Sequence, residues 1–147
     1  ISCPTENVYL QGRQDTYPKR RGLTRVKEFI EYGINVAFAQ DSINDPWYPM
    51  GNGNMMNILD NGIHLAQIMS SDDVKTNFDL ITYNGARCMN IQDSYGLEVG
   101  KAANFIVLNE DSVYEAIRKR VDVLASVRNG DFLFRRKEMA YSIPLSL

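Results

Sequence analysis

Residues 34–50, INVAFAQDSINDPWYPM, constrain the fold more than any other stretch of the chain. Ile34–Ala39 is apolar apart from Asn35, and it follows a segment with helical spacing. Such a run predicts a buried parallel strand. It stops at Gln40, a carboxylate follows at Asp41, and the loop SINDPWYPMG then sets Trp47 between two prolines. In α/β proteins catalytic groups gather at the carboxyl ends of the strands. Asp41 is therefore the candidate catalytic, metal-binding carboxylate, and the remaining residues are weighed by whether they could complete its site.

The stretches on either side support an alternating α/β pattern. Ile1-Ser2-Cys3 reads as the tail of a strand, and residues 13–22, RQDTYPKRRG, as a loop. Thr24 is a fair N-cap for a helix with Val26, Phe29 and Ile30 on one face, which Gly33 ends. After the turn Gly51-Asn52-Gly53-Asn54, a second helix is predicted over Met55–Met69, interrupted by Gly62 and carrying His64, the single histidine. A third is predicted over Val74–Met89. Beyond the turn Asp93-Ser94-Tyr95-Gly96 the pattern becomes mostly β. A strand over Ala103–Leu108 is followed by a helix opened by Ser112 and Glu115. A second strand, Val121–Val127, then runs into a hairpin at Asn129-Gly130 with its return strand Asp131–Phe134. Residues 1–92 thus form one predicted unit and residues 93–147 a smaller one.

Composition narrows the function. A chain of 147 residues with net charge −2 is long enough for a real core and has no electrostatic footprint for nucleic acid or anionic membrane. The runs Lys19-Arg20-Arg21 and Arg135-Arg136-Lys137 lie in no broader basic stripe. Cys3 and Cys88 have neither metal-type nor disulfide-type spacing, these residues contain no apolar stretch of spanning length, and no signal peptide is expected. The expectation is a cytoplasmic, reducing location. Residues 6–12, ENVYLQG, resemble the recognition site of a viral protease used to remove purification tags. The string departs from that site at two positions and runs directly into RQDTYPKRRG, so it is read as native sequence that this protease could cut after Gln11.

Three stretches together resemble the carboxyl-terminal part of bacterial cytosine deaminases, in the amidohydrolase superfamily. They are LQGRQDTYPKRRG with TRVKE and GINV (10–36), QDSINDPWYPMGNGNM (40–55), and LITYNGARCMNIQDSYGLEVGKAANFIVL (80–108). The third resembles the common tail of the superfamily, and DPWYP points to the cytosine deaminase branch. The resemblance implies the last strands and helices of a distorted TIM (β/α)8 barrel plus part of a small β-sandwich. It also implies hydrolytic release of ammonia from a pyrimidine-type base, by water activated on one divalent metal ion, iron or zinc. Asp41 would be the metal ligand of strand eight, and Trp47 would pack along the substrate pocket. Two positions depart from the family's usual cytosine enzymes: Ser42 stands where a second acidic residue follows the metal aspartate, and Gln40 where a histidine precedes it. Ser42 makes a substituted cytosine or another amino-azine a plausible substrate.

The implied metal site also needs a His-x-His pair, two further histidines and a glutamate, whereas this chain has one histidine. One carboxylate cannot hold an open catalytic site. The chain alone is therefore expected to bind no metal and to be inactive, and to need the amino-terminal part of the same protein. With one edge of the strand bare and its faces exposed, it is expected to self-associate or fold loosely, and a homo-oligomer is the expected state. The rival readings are a cyclic-amide hydrolase of the same superfamily and a non-catalytic α/β interaction module in which Asp41 only caps a turn.

Overall fold

The computed structural model describes residues 1–137, apart from the side chains of Ser71 and Lys75; the last ten residues of the predicted second unit lie outside the described residues. The order of elements is α1 (Pro4–Leu10), α2 (Val26–Glu31), α3 (Met55–Ala66), α4 (Ser71–Asn77), a 3₁₀ turn (Phe78–Ile81), α5 (Tyr83–Cys88), β1 (Phe105–Leu108), α6 (Val113–Lys119), β2 (Val123–Arg128) and β3 (Asp131–Arg135).

The apolar run at 34–39 is buried but is not a regular strand. Val36, Ala37 and Phe38 are nearly inaccessible, while Ile34 is half exposed. The run makes one parallel bridge, between Phe38 and Ser2. Ser2 N–H donates to the Ala37 carbonyl at 2.8 Å and Ala39 N–H to the Ser2 carbonyl at 2.9 Å, so Ile1-Ser2-Cys3 does lie alongside as an extended neighbour. The expectation of a bare edge and exposed faces is corrected. On the opposite edge Phe38 N–H donates to the Leu80 carbonyl at 2.8 Å. The Asn84 side-chain amide donates to the Val36 carbonyl, also at 2.8 Å. These partners satisfy backbone groups that burial would otherwise leave unpaired.

The same contacts explain why the predicted helix over 74–89 is broken. Ser70 and Asp73 form a full capping box that starts α4 three residues before Val74. The Leu80 carbonyl serves Phe38, and Thr82, at φ −128° and ψ −97°, leaves helical geometry before α5 begins. Helix α1 was not expected; Pro4 suits its first turn, where a missing N–H costs nothing. Thr24 does not cap α2, whose N-cap is Arg25; its hydroxyl accepts from Ser2 Oγ at 3.0 Å instead. Only Val26 of the predicted α2 face is buried. The helix ends as expected: Gly33 N–H bonds the Ile30 carbonyl and Ile34 N–H the Phe29 carbonyl, the Schellman pattern.

Helix α3 is the centre of the core. Asn54 caps it by accepting from Met56 N–H, and Gln67 in the left-handed region stops it. Met56, Ile58, Leu59 and Ile63 pack with Val36, Phe38, Val74 and Leu80, and also with Ala116, Ile117 and Val121 of the later part of the chain. Gly62 is not a weak point but a contact requirement. A Cβ there would lie 2.4 Å from Cε2 of Phe38, so the ring packs directly on the helix backbone. Arg120 closes the join between α6 and α3 with two bonds to the Asp60 carboxylate, at 2.7 and 3.1 Å.

The later part forms one antiparallel sheet in the order β1-β2-β3. The Asn129-Gly130 hairpin is as read, with both residues at positive φ. The basic run at 19–21 staples its own loop: Arg20 makes two bonds to Asp15 at 2.9 Å, and Arg21 donates to the Gln11 carbonyl. No described helix is long and apolar enough to cross a membrane.

Candidate functional site

Asp41 stands where the buried run meets solvent. Its neighbours Gln40 and Ser42 are 7% and 8% exposed, but Asp41 itself is exposed. Ser42 N–H donates to the Gln40 carbonyl at 3.1 Å, across a three-residue turn with Asp41 at its apex. The apex has φ +67°, a left-handed value that is rare and strained for a residue with a side chain. This strain, about 1–3 kcal/mol at such positions, persists only where the surroundings impose it. Among the described residues the Asp41 carboxylate makes no hydrogen bond and no ion pair, so both oxygens are available to a ligand.

The surroundings that impose the turn come from α1. Glu6, only 5% exposed, accepts from Ser42 Oγ at 3.0 Å through Oε1 and from Ser42 N–H at 3.2 Å through Oε2. Glu6 was missed in the sequence, where it was read only as part of ENVYLQG. The available signal was an acidic residue two positions after a helix-starting proline, with no cation at helical spacing to pair with it. Cys3 lies at the same end of the bridge. Burial pushes its thiol up, and the charges of Asp41 and Glu6 push it further, so it stays a protonated, unreactive thiol near neutral pH.

The loop after Ser42 is ordered by its own polar groups. Asp45 accepts from the Tyr48 and Trp47 backbone N–H groups at 3.0 and 2.9 Å. Those two bonds, that to Tyr48 leading, hold its carboxyl below the usual range. Tyr48 packs edge-on against Tyr9 of α1, with ring centroids 5.7 Å apart. Gly51 comes so close to Ser42 that a Cβ there would meet the Ser42 carbonyl at 2.1 Å. Trp47, however, is 62% exposed, with its ring on the surface of the loop.

The structure thus places Asp41 and Ser42 side by side and Trp47 on the loop that follows. A cavity of about 180 Å³ adjoins the site, lined by Thr5, Gln40, Tyr48 and Met50. A wider groove, about 700 Å³, lies away from it between Met55, Phe78 and the sheet residues Ile106, Val123 and Phe134. His64 stays on α3, its Nδ1 2.7 Å from the Asp60 carbonyl. Among the described residues no three His, Cys, Asp or Glu side chains converge to hold a metal ion. The free carboxylate of Asp41 fits one ligand position of a divalent ion, whose remaining ligands would have to come from elsewhere.

Comparison with known proteins gives this arrangement a family. The profile described as the amidohydrolase family matches residues 1–134. The structure superimposes on the 5-methylcytosine deaminase of Klebsiella pneumoniae, solved with 5-fluorocytosine, at a TM-score of 0.92 and 48% identity, covering 99% of this chain and 35% of that one. The N-isopropylammelide isopropyl amidohydrolase of Pseudomonas sp. (strain ADP) is 34% identical over 110 residues, 75% of this chain and 27% of that protein. The guanine deaminase of E. coli shares the fold, at a TM-score of 0.65 and 21% identity, over 92% of this chain and 33% of that one. This chain therefore spans only about a third of the relatives it matches.

Proposed function

Because the chain belongs to the amidohydrolase family, we propose that it is the carboxyl-terminal part of a metal-dependent hydrolytic deaminase acting on cytosine or a 5-substituted cytosine. Residues 1–92 would complete a distorted (β/α)8 barrel and residues 93–147 part of a small β-sandwich. The observation that carries the reading is the unpartnered Asp41 carboxylate, presented from a strained turn at the end of the buried run. Catalytic ligands of barrel enzymes occupy that position.

A divalent ion, iron or zinc, when bound, lowers the pKa of water enough to supply hydroxide at neutral pH. Asp41 would be one of its ligands, and its carboxylate would be the group that holds the proton released there. Ser42 would form a small, neutral part of the pocket wall beside it. A serine there leaves more room than a carboxylate and carries no charge toward the base, which favours a substituent on the ring. The 48% identity to a 5-methylcytosine deaminase supports the same choice. Trp47, on its loop, would close over the base once the rest of the barrel is present. Since Asp41 is a single ligand, the chain by itself should be inactive and should bind no metal tightly.

The likeness to the N-isopropylammelide enzyme supports a second substrate class, amino-triazines. The test is an ammonia-release assay of the full-length protein, loaded with iron or zinc, on cytosine, 5-methylcytosine, 5-fluorocytosine and amino-triazines. Turnover of the 5-substituted cytosines, lost in Asp41→Ala together with stoichiometric metal, is the expected result. A full-length protein that binds metal equally well with and without the Asp41 carboxylate would refute the assignment of that residue. One that hydrolyses a cyclic amide and releases no ammonia would refute the deaminase reading.

A further inference from the structure

We propose that Glu6 is a positioning residue for the site, one that fixes both the aim of Asp41 and the hydrogen-bonding sense of Ser42. The inference rests on the deaminase reading only where it speaks of the base. Two separate features of the Glu6–Ser42 contact carry it.

The first is the backbone bond. Glu6 Oε2 accepts from Ser42 N–H at 3.2 Å, and the same N–H closes the turn onto the Gln40 carbonyl at 3.1 Å. Asp41, at φ +67°, is the apex of that turn. Releasing the N–H would let the apex relax toward ordinary backbone angles, which would swing the carboxylate away. A group that orients a metal ligand in this way governs metal affinity by about 10- to 100-fold.

The second is the side-chain bond. Ser42 Oγ donates to Glu6 Oε1 at 3.0 Å, and the other side chain within its influence, Asp45, is also a carboxylate. A hydroxyl has one proton. With that proton committed to a carboxylate, Ser42 Oγ faces anything in the pocket as an acceptor only. It would accept from an amino or ring N–H of the base and would have no proton for a ring nitrogen lone pair or a carbonyl oxygen. Glu6 is buried, and among the described residues no cation neutralises it, which is costly unless the groups it holds need it.

The experiment uses the full-length protein as wild type, Glu6→Leu, Ser42→Ala and the double variant, each titrated with zinc against a chelator and assayed for KM and kcat on the preferred base. Glu6→Leu should weaken zinc binding 10- to 100-fold with an unchanged circular dichroism spectrum, because leucine has no atom to accept from the Ser42 N–H. Ser42→Ala, which keeps that backbone bond, should weaken zinc binding less than threefold but raise KM. Adding Glu6→Leu to Ser42→Ala should raise KM no further. Zinc binding in Glu6→Leu within twofold of wild type, or KM effects that multiply in the double variant, would overturn the proposal. Should Glu6→Leu not fold, Glu6→Asp, which withdraws the carboxylate by one methylene, should show the zinc loss, and wild-type affinity in it would overturn the proposal equally. The zinc titration needs no substrate. A wild type that binds zinc but deaminates nothing therefore sinks the deaminase reading and leaves Glu6 to be judged by the titration. A wild type that binds no divalent ion sinks both.

Discussion

Gly62→Ala is the substitution whose outcome this packing decides most sharply. An alanine in the middle of α3 gains about 1 kcal/mol of helix propensity over glycine. On an open helix face the variant would therefore melt higher. Here the new Cβ would lie 2.4 Å from Cε2 of Phe38 and 2.8 Å from its Cδ2 and Cζ. The ring cannot step aside, since Phe38 is 4% exposed and its backbone is held by Leu80 on one edge and Ser2 on the other. Overpacking of a closed core costs about 1–3 kcal/mol, and a contact this short belongs at the upper end. The net expectation is a loss of about 1–2 kcal/mol, a fall in Tm of about 2–8 °C for a chain of this size. Urea denaturation of the chain, wild type against Gly62→Ala, measures it, and Phe38→Leu supplies the check. Leucine removes the ring atoms that clash, so Phe38→Leu and Gly62→Ala together should cost less than the sum of the two alone. A Gly62→Ala chain as stable as wild type, or strictly additive costs, would refute the claim that Phe38 rests on the glycine. Because Phe38 is three residues before Asp41, the same displacement should also lower the activity proposed for the full-length protein.

Other outcomes follow from single contacts. Glu115 of α6 is pushed down to about 2 by its paired hydrogen bonds to Arg118, with Lys119 adding to the effect. A carboxylate depressed in the folded state stabilises above its unfolded value and loses that contribution as pH falls through the folded one. The contribution of this pair should therefore disappear between about pH 4.5 and 2. Carboxyl titration by NMR should show a midpoint near 2 for Glu115 and a midpoint raised toward the ordinary glutamate range in Arg118→Ala, where Lys119 still holds it down. The segment ENVYLQG has its first five residues within α1, and Glu6 is buried against Ser42. Proteases bind their substrates extended, so the viral protease that this string resembles should leave the native chain intact after Gln11 and cut it once urea has unfolded it. Rapid cleavage of the native protein would show that α1 opens readily.

What the sequence determined by itself is local. Asn54, Ser70 and Ser112 cap the helices that follow them because a side-chain oxygen reaches N–H groups two or three residues ahead. Gly33 and Asn129-Gly130 stop or reverse the chain through their own backbone angles. An acid immediately after a buried run was likewise legible at Asp41. The rest depended on partners distant in the chain, which no local pattern contains. The run at 34–39 became a single bridge because its backbone groups bond Ser2 on one edge and Leu80 and Asn84 on the other. The helix read over 74–89 broke because the Leu80 carbonyl was needed there. Gly62 looked like a flaw until the Phe38 ring was seen to lie on it. Glu6 passed as part of the string ENVYLQG because its partner is 36 residues away. Caps and turns close over a few residues and so are written in order along the chain. The aim of Asp41 is fixed by contacts that form only when the chain has folded, and only the tertiary structure could decide it.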